Sequence, residues 1–185
     1  MFIPFFVGLV FVLSLLTGGS LKRLAQWPLR ASFLFFLPLL IQVALFNQEV
    51  SEYDHLVHLV TYFLLLLVVL LNLHLPGAKI LFLGLACNFL VIALNGGYMP
   101  MSIEALEGAG MEVVAEVLAQ GDVFHNGIAL TAETKAWFLA DVFYLPPPFP
   151  LPNVFSIGDV LLILGGSIFC WKGTRQRKYL YINYV

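Results

Sequence analysis

Long charge-free stretches alternate with short polar ones along this chain. Met1–Leu21, Ala31–Gln48, His55–Ala78 and Ile80–Ile103 carry no Asp, Glu, Lys or Arg, and Val154–Trp171 carries a single charge, Asp159. About 20 apolar residues suffice for a helix to cross the hydrocarbon core of a bilayer. The pattern therefore predicts five transmembrane helices, near 2–17, 32–47, 56–74, 80–95 and 154–171, in an all-α integral-membrane bundle. No internal repeat or low-complexity linker divides residues 1–185, which read as one membrane domain.

Between the fourth and fifth helices lies a long loop, 96–153. Within it Ser102–Gln120 has the pattern of an amphipathic helix. Ile103, Leu106, Met111, Val114, Val117 and Leu118 approximate one apolar face, while Glu104, Glu107, Glu112 and Glu116 lie elsewhere. Ser102 stands at the N-cap position, and Gly108 and Gly110 weaken the middle and favour a break into two short pieces. Asp122–Thr134 reads as an irregular turn region. Trp137–Leu145 is apolar but too short to span. The run Pro146-Pro147-Pro148-Phe149-Pro150-Leu151-Pro152 cannot be helix interior and predicts a rigid, polyproline-like bridge into the fifth helix.

Composition sharpens this picture. Hydrophobic residues make up 61% of the 185 and charged residues 11%, against about 45–50% and about 25% in soluble domains. That excess argues against a soluble enzyme, a nucleic-acid binder or a disordered tail, because a core of this size cannot bury it. The net charge of −2 provides no field to gather nucleic acid. Membrane lipid, and other membrane subunits, are the expected partners.

The placement of charge predicts an orientation. Lys22, Arg23 and Arg30 follow the first helix, Lys79 follows the third, and Lys172, Arg175, Arg177 and Lys178 follow the fifth. Eight of the nine basic residues thus fall on alternate loops, with only Lys135 on the other side. The expectation is a multi-pass inner-membrane protein with its N-terminus outside and its C-terminus cytoplasmic. The first apolar run has no basic residues before it, so it reads as a retained helix rather than a cleaved signal. Cys87 and Cys170 sit in apolar runs on different helices and are expected to behave as small hydrophobes without a disulfide.

Three groups of residues are candidates for chemistry. Asp159 lies in the fifth predicted helix, where an ionisable group is costly and suggests function. Asp141 precedes the proline bridge, which folds the chain back so that the two carboxylates can meet. Close carboxylates cannot both ionise, and such a dyad activates water in aspartic proteases. The structural alternative is that Asp159 caps its helix while Asp141 bonds a loop. The second group is Asp54, His55, His58 and Tyr62 at the start of the third helix, with Glu49 and Glu52 close by. Histidine with carboxylate is metal-ligand chemistry, but no third ligand is visible, so no metal or cofactor is expected. A capped helix with an interhelical hydrogen bond from His58 accounts for these residues as well. The third group is the face Gly84, Asn88, Val91, Asn95, which suits close helix packing, followed by the sharp exit Asn95-Gly96-Gly97-Tyr98-Met99-Pro100. Asn95, His58 and Tyr62 are the candidate ligand-binding residues.

Three resemblances follow from these motifs. The stretch LADVFYLPPPFPLPNVFSIGDVLLILG resembles the end of bacterial lipoprotein signal peptidase. That resemblance implies Asp141 and Asp159 as catalytic carboxylates. The spacing Asp54-x-x-x-His58-x-x-x-Tyr62 is similar to the start of a helix in the VanZ-like membrane family. Gly18-Gly19-Ser20-Leu21 with Leu24, the Asn-Gly-Gly-x-Met-Pro exit and Phe155-Ser156-Ile157-Gly158-Asp159 together resemble an uncharacterised bacterial integral-membrane family. That likeness implies a fold and an inner membrane and supplies no activity. The function expected from all of this is an accessory subunit, or a module that binds lipid or an apolar ligand under the long loop. The alternative is a membrane-embedded aspartyl hydrolase working at the outer face through Asp141 and Asp159.

Overall fold

The computed structural model describes residues 2–31, 34, 36–38, 40, 41 and 54–175. Helix α1, Phe2–Leu16, carries Pro4 in its first turn, where a missing backbone N–H costs nothing. It stops before Gly18, which adopts a left-handed φ of 95°. A single helical turn, α2, Leu21–Leu24, follows. Helix α3, Asp54–Leu71, ends in a turn that closes at Gly77, and α4, Ala78–Leu94, starts directly after it. Asn95 caps α4, and Gly96 and Gly97, both at positive φ, turn the chain away.

The segment after α4 is folded rather than loose. Strand β1, Met99–Met101, leads into α5, Ile103–Gly108, and α6, Glu112–Ala119. Ser102 caps α5 by accepting from the Ala105 amide at 3.2 Å, and the two short helices part at Gly110, φ 72°. Strand β2, Gly127–Ala129, a 3-10 turn at Trp137–Leu139, and strands β3, Phe143–Leu145, and β4, Asn153–Phe155, complete it. Helix α7, Ile157–Gly173, closes the described chain.

Two expectations are overturned. The fold is not all-α: β1 pairs with β2 in parallel and β3 with β4 antiparallel. Nor is it a bundle of five transmembrane helices. Among the described residues no helix is long and apolar enough to cross a membrane. The physical reason is where the helices break. Glycine turns at 18, 77 and 96–97 and the strand at 153–155 cut the charge-free runs into helices of 15, 18, 17 and 17 residues. At about 1.5 Å per residue these reach roughly 22–27 Å, short of a core of about 30 Å. The longest, α3, begins with the polar residues Asp54 and His55. The inner-membrane placement and the inside–outside assignment of the loops, which rested on five spans, fall with them. The expected helix at 32–47 lies largely outside the described residues, although Leu34, Phe36, Leu37, Pro38, Leu40 and Ile41 are helical.

Helix α4 packs against α3 on one side and α7 on the other, and α1 leans on α7. The α4–α7 crossing is built on glycine. A Cβ on Gly84 would lie 2.7 Å from the Gly158 carbonyl, and one on Gly165 would lie 2.6 Å from the Leu81 amide nitrogen. Bare backbone on both helices lets them touch. Leu106, Ala109 and Leu118 of the α5–α6 pair form one apolar cluster with Val154 of β4. Val91 and Ile92 of α4 form a second with Met99, Leu139 and Ala140.

Two asparagines tie distant loops to helices. Asn95 donates to the Lys135 carbonyl at 2.9 Å and accepts from the Lys135 amide at 3.0 Å. Asn72 does the same for Arg30, at 2.9 and 2.8 Å. At the far end of α7, Thr174 meets Ser14 through their hydroxyls, and its carbonyl accepts from the Ser20 amide at 2.9 Å. Arg175 lies 3.6 Å over the Trp171 ring and donates to the Ser14 and Thr17 hydroxyls.

Candidate functional site: a carboxyl pair facing a cavity

Two backbone devices bring Asp141 and Asp159 to one place. Asp141 extends the β1–β2 sheet: its amide donates to the Pro100 carbonyl and its own carbonyl accepts from the Ser102 amide, both at 3.0 Å. Two residues on, β3 begins, and it pairs Phe143 with Phe155 just before α7 starts. The proline-rich turn between β3 and β4 thus returns the chain to Asp141. Asp159 sits in the first turn of α7 and completes a capping box: Ser156 Oγ accepts from the Asp159 amide, and Asp159 Oδ2 accepts from the Ser156 amide, each at 3.1 Å.

Both carboxyls line a cavity of about 410 Å³ together with Tyr62, Phe2, Phe124 and His125. Asn88 of α4 holds Asp159 in place. It is buried, donates through Nδ2 to Asp159 Oδ1 at 2.8 Å, and accepts through Oδ1 from the Ser156 hydroxyl at 3.0 Å. The orientation of this amide is fixed by its partners, since a carboxylate can only accept. Gly158 makes room for it, because a Cβ there would stand 1.8 Å from Asn88 Oδ1.

The two carboxyls differ. Both oxygens of Asp159 accept hydrogen bonds from the protein. Asp141 is 7% exposed, and its Oδ1 has no hydrogen-bond partner. Burial, and then the charge of Asp159, push the Asp141 carboxyl well above the usual range. Burial also raises Asp159, while its bonds from Ser156 and Asn88 pull it back. Tyr62 is raised as well, by burial first and then by the two aspartates, with a partial offset from a hydrogen bond to Asn88. Asp141 therefore holds its proton more firmly than Asp159, whose ionised form is stabilised by the bonds from Ser156 and Asn88.

A second cavity, of about 370 Å³, adjoins the first. Its walls are apolar apart from Asn72, which is engaged with Arg30, and include Val7, Leu65, Leu81, Leu85 and Phe169. Ile3 and Pro4 of α1 line both cavities.

A family model described as a family of unknown function (DUF5317) matches residues 26–171. The chain belongs to that family. An uncharacterized protein of Thermotoga maritima is similar to this DUF5317 chain, 25% identical over 158 residues, which cover 85% of this chain and 83% of the relative. No solved structure matches. Neither finding carries the likeness to lipoprotein signal peptidase, while the likeness to an uncharacterised bacterial family stands.

The other residues singled out in this DUF5317 chain fall elsewhere. Tyr62 lines the carboxyl cavity, but Asn95 is occupied at the end of α4 by Lys135 and by the Val91 carbonyl at 2.7 Å. His58 lies on α3 and lines neither described cavity; its carbonyl accepts from Thr61. His55 stacks on Tyr98 at 5.4 Å between ring centroids. Glu49 and Glu52 lie outside the described residues, and among the described residues no group of three or more His, Cys, Asp or Glu forms a metal site. Phe124 and His125 of the cavity wall carry no signal in the sequence, and Met111 shows there only as part of an apolar helix face. Asn88 and Ser156 do: each lies within a motif read from the sequence, but their meeting depends on the α4–α7 crossing.

Proposed function

We propose that this protein binds an amphiphilic small molecule, its apolar body in the cavity between α1, α3, α4 and α7 and its polar end at the carboxyl pair. The observation that supports the reading is that two unlike cavities share part of their lining. One is apolar, the other holds two carboxyls, and Ile3 and Pro4 line both. Each volume falls in the range of small-molecule sites, about 300–1,000 Å³. An apolar chain gains from leaving water for the first cavity, and a polar group finds acceptors and a donor in the second.

A ligand that binds only the folded protein raises its melting temperature by an amount that grows with the logarithm of ligand concentration above Kd. Octanol is the probe: it should raise Tm in a concentration-dependent way, and Val7→Phe, which fills the apolar cavity, should abolish the shift. No shift with the wild-type protein, or an equal shift with the filled variant, defeats the reading.

A second reading rests on the asymmetry of the pair. A carboxyl held by two hydrogen bonds, Asp159, beside one that keeps its proton more firmly, Asp141, is the kind of pair that activates water for hydrolysis. Asp159 takes a proton from water as its oxygen bonds to a carbonyl carbon. Asp141 gives its proton to the leaving group as the old bond breaks, and the proton on Asp159 then returns Asp141 to its starting state. Turnover of acyl esters of octanol, lost in both Asp141→Asn and Asp159→Asn with folding intact, is the expected result. Turnover surviving either change eliminates it.

A further inference from the structure

The geometry points to a cation, a protonated primary amine, as the polar end of the ligand, held by Asp141 and Asp159. This rests on the joined-cavity reading and narrows it. The cavity wall presents two carboxyls and a phenol, and no lysine or arginine is among its lining residues. Buried carboxylates are normally matched by a cation, because an unmatched charge in a low-dielectric site is costly. Among the described lining residues His125 alone can carry a positive charge, and no lysine or arginine stands beside the carboxyls. One oxygen of Asp141, in a side chain only 7% exposed, has no hydrogen-bond partner at all. Each Asp159 oxygen has used one acceptor site on Asn88 or Ser156 and keeps another.

An ammonium group suits this set of acceptors. It has three donors and no acceptor, which matches a wall of two carboxyls and a phenol. The rings of Phe2, Tyr62 and Phe124 add faces that attract a cation. An alcohol leaves the charge of Asp159 unmatched, and a carboxylate adds to it. A cation beside Asp141 favours its ionised form, so binding the ammonium releases protons to solvent. The titratable groups that face the site are Asp141 beside β1, Asp159 on α7, Tyr62 on α3 and His125 between α6 and β2.

Titration calorimetry with octylammonium, octanol and octanoate, in buffers of different ionisation enthalpy, tests this on the whole chain. Octylammonium should bind at least about tenfold more tightly than octanol, with octanoate weakest. Its binding should release protons and tighten as pH rises toward neutrality. Asp141→Asn should bring octylammonium down to the level of octanol and abolish the proton release. Equal binding of the ammonium and the alcohol, no proton release, or octanoate as the tightest ligand overturns the cation while leaving the joined cavities standing. Failure of all three to bind overturns both. Should Asp141→Asn not fold, the wild-type ranking of the three probes decides alone.

Discussion

Asp141 is held by its backbone and left incomplete at its side chain. The strand-like bonds to Pro100 and Ser102 fix where it sits, while burial and Asp159 keep its proton on. This has a thermodynamic sign. A carboxyl whose folded value is raised binds more protons folded than unfolded, so its contribution is complete below the unfolded value, about 3.9. It is lost as pH climbs from there through the folded value. Asp159, also raised, acts in the same direction. The ligand-free protein should therefore lose up to about 1.4 kcal/mol per pH unit for each such proton within that window. Asp141→Asn should flatten the fall and stabilise the protein near neutrality, read by urea unfolding from about pH 4 upward. An unchanged slope would show that Asp141 ionises freely.

Among elements, the α4–α7 crossing links packing to the site. Gly158 is both a contact point between helices and the space that Asn88 occupies. Gly158→Ala should cost about 1–3 kcal/mol by overpacking and should also displace Asn88 from Asp159. Gly8 on α1 has nothing within 4 Å of its missing Cβ, so Gly8→Ala should stabilise by about 0.5–1 kcal/mol. Opposite shifts in Tm for these two changes are the expected outcome, and a neutral Gly158→Ala would mean that the helices can part freely. The crossing also marks the limit of the sequence. Charge-free runs located the cores of α1, α3, α4 and α7 to within a few residues, since an apolar stripe is a local signal. Gly108 and Gly110 announced the break between α5 and α6. The strands were hidden. Each is three residues long, too short for an alternation pattern, and β1 finds its partner nearly thirty residues away. Those pairings are what carry Asp141 to α7.

Over the whole molecule, the C-terminal ends of α1 and α7 are fastened to each other. Ser14 in the last turn of α1 and Thr17 and Ser20 after it meet Thr174 and Arg175 after α7, and Trp27 donates to the Gly173 carbonyl at 3.1 Å. Thr174 is fully buried, so Thr174→Ala removes its bond to the Ser14 hydroxyl, which keeps the bond from Arg175, and should cost roughly 0.5–1.5 kcal/mol in denaturant unfolding. A cost near zero would mean that the closure contributes little. Composition misled at this scale. A 61% hydrophobic content measures how much apolar surface exists, whereas helix length depends on where glycines turn the backbone. Many apolar side chains of the helices stay open, Leu9 at 47% and Phe63 at 52% among them. The carboxyl pair was legible as two aspartates flanking a proline run. Its cavity was not, because Tyr62, Phe2 and His125 come from segments that only the tertiary fold assembles.

The clamp formed by Asn95 has a chemical consequence. Asparagine followed by glycine is prone to cyclise, its side-chain carbonyl attacked by the next backbone nitrogen with loss of ammonia. In this fold the Asn95 amide is held by the Val91 carbonyl and by both backbone groups of Lys135, so the rotation needed for attack is opposed for as long as the fold persists. Once the ring forms and opens, the new carboxylate no longer donates, and the tie between α4 and the segment before the 3-10 turn is cut. Spontaneous ageing at this one bond would then loosen the path that leads to Asp141. Peptide mapping after prolonged storage at mildly alkaline pH should find Asn95 intact in folded protein and converted in protein held unfolded.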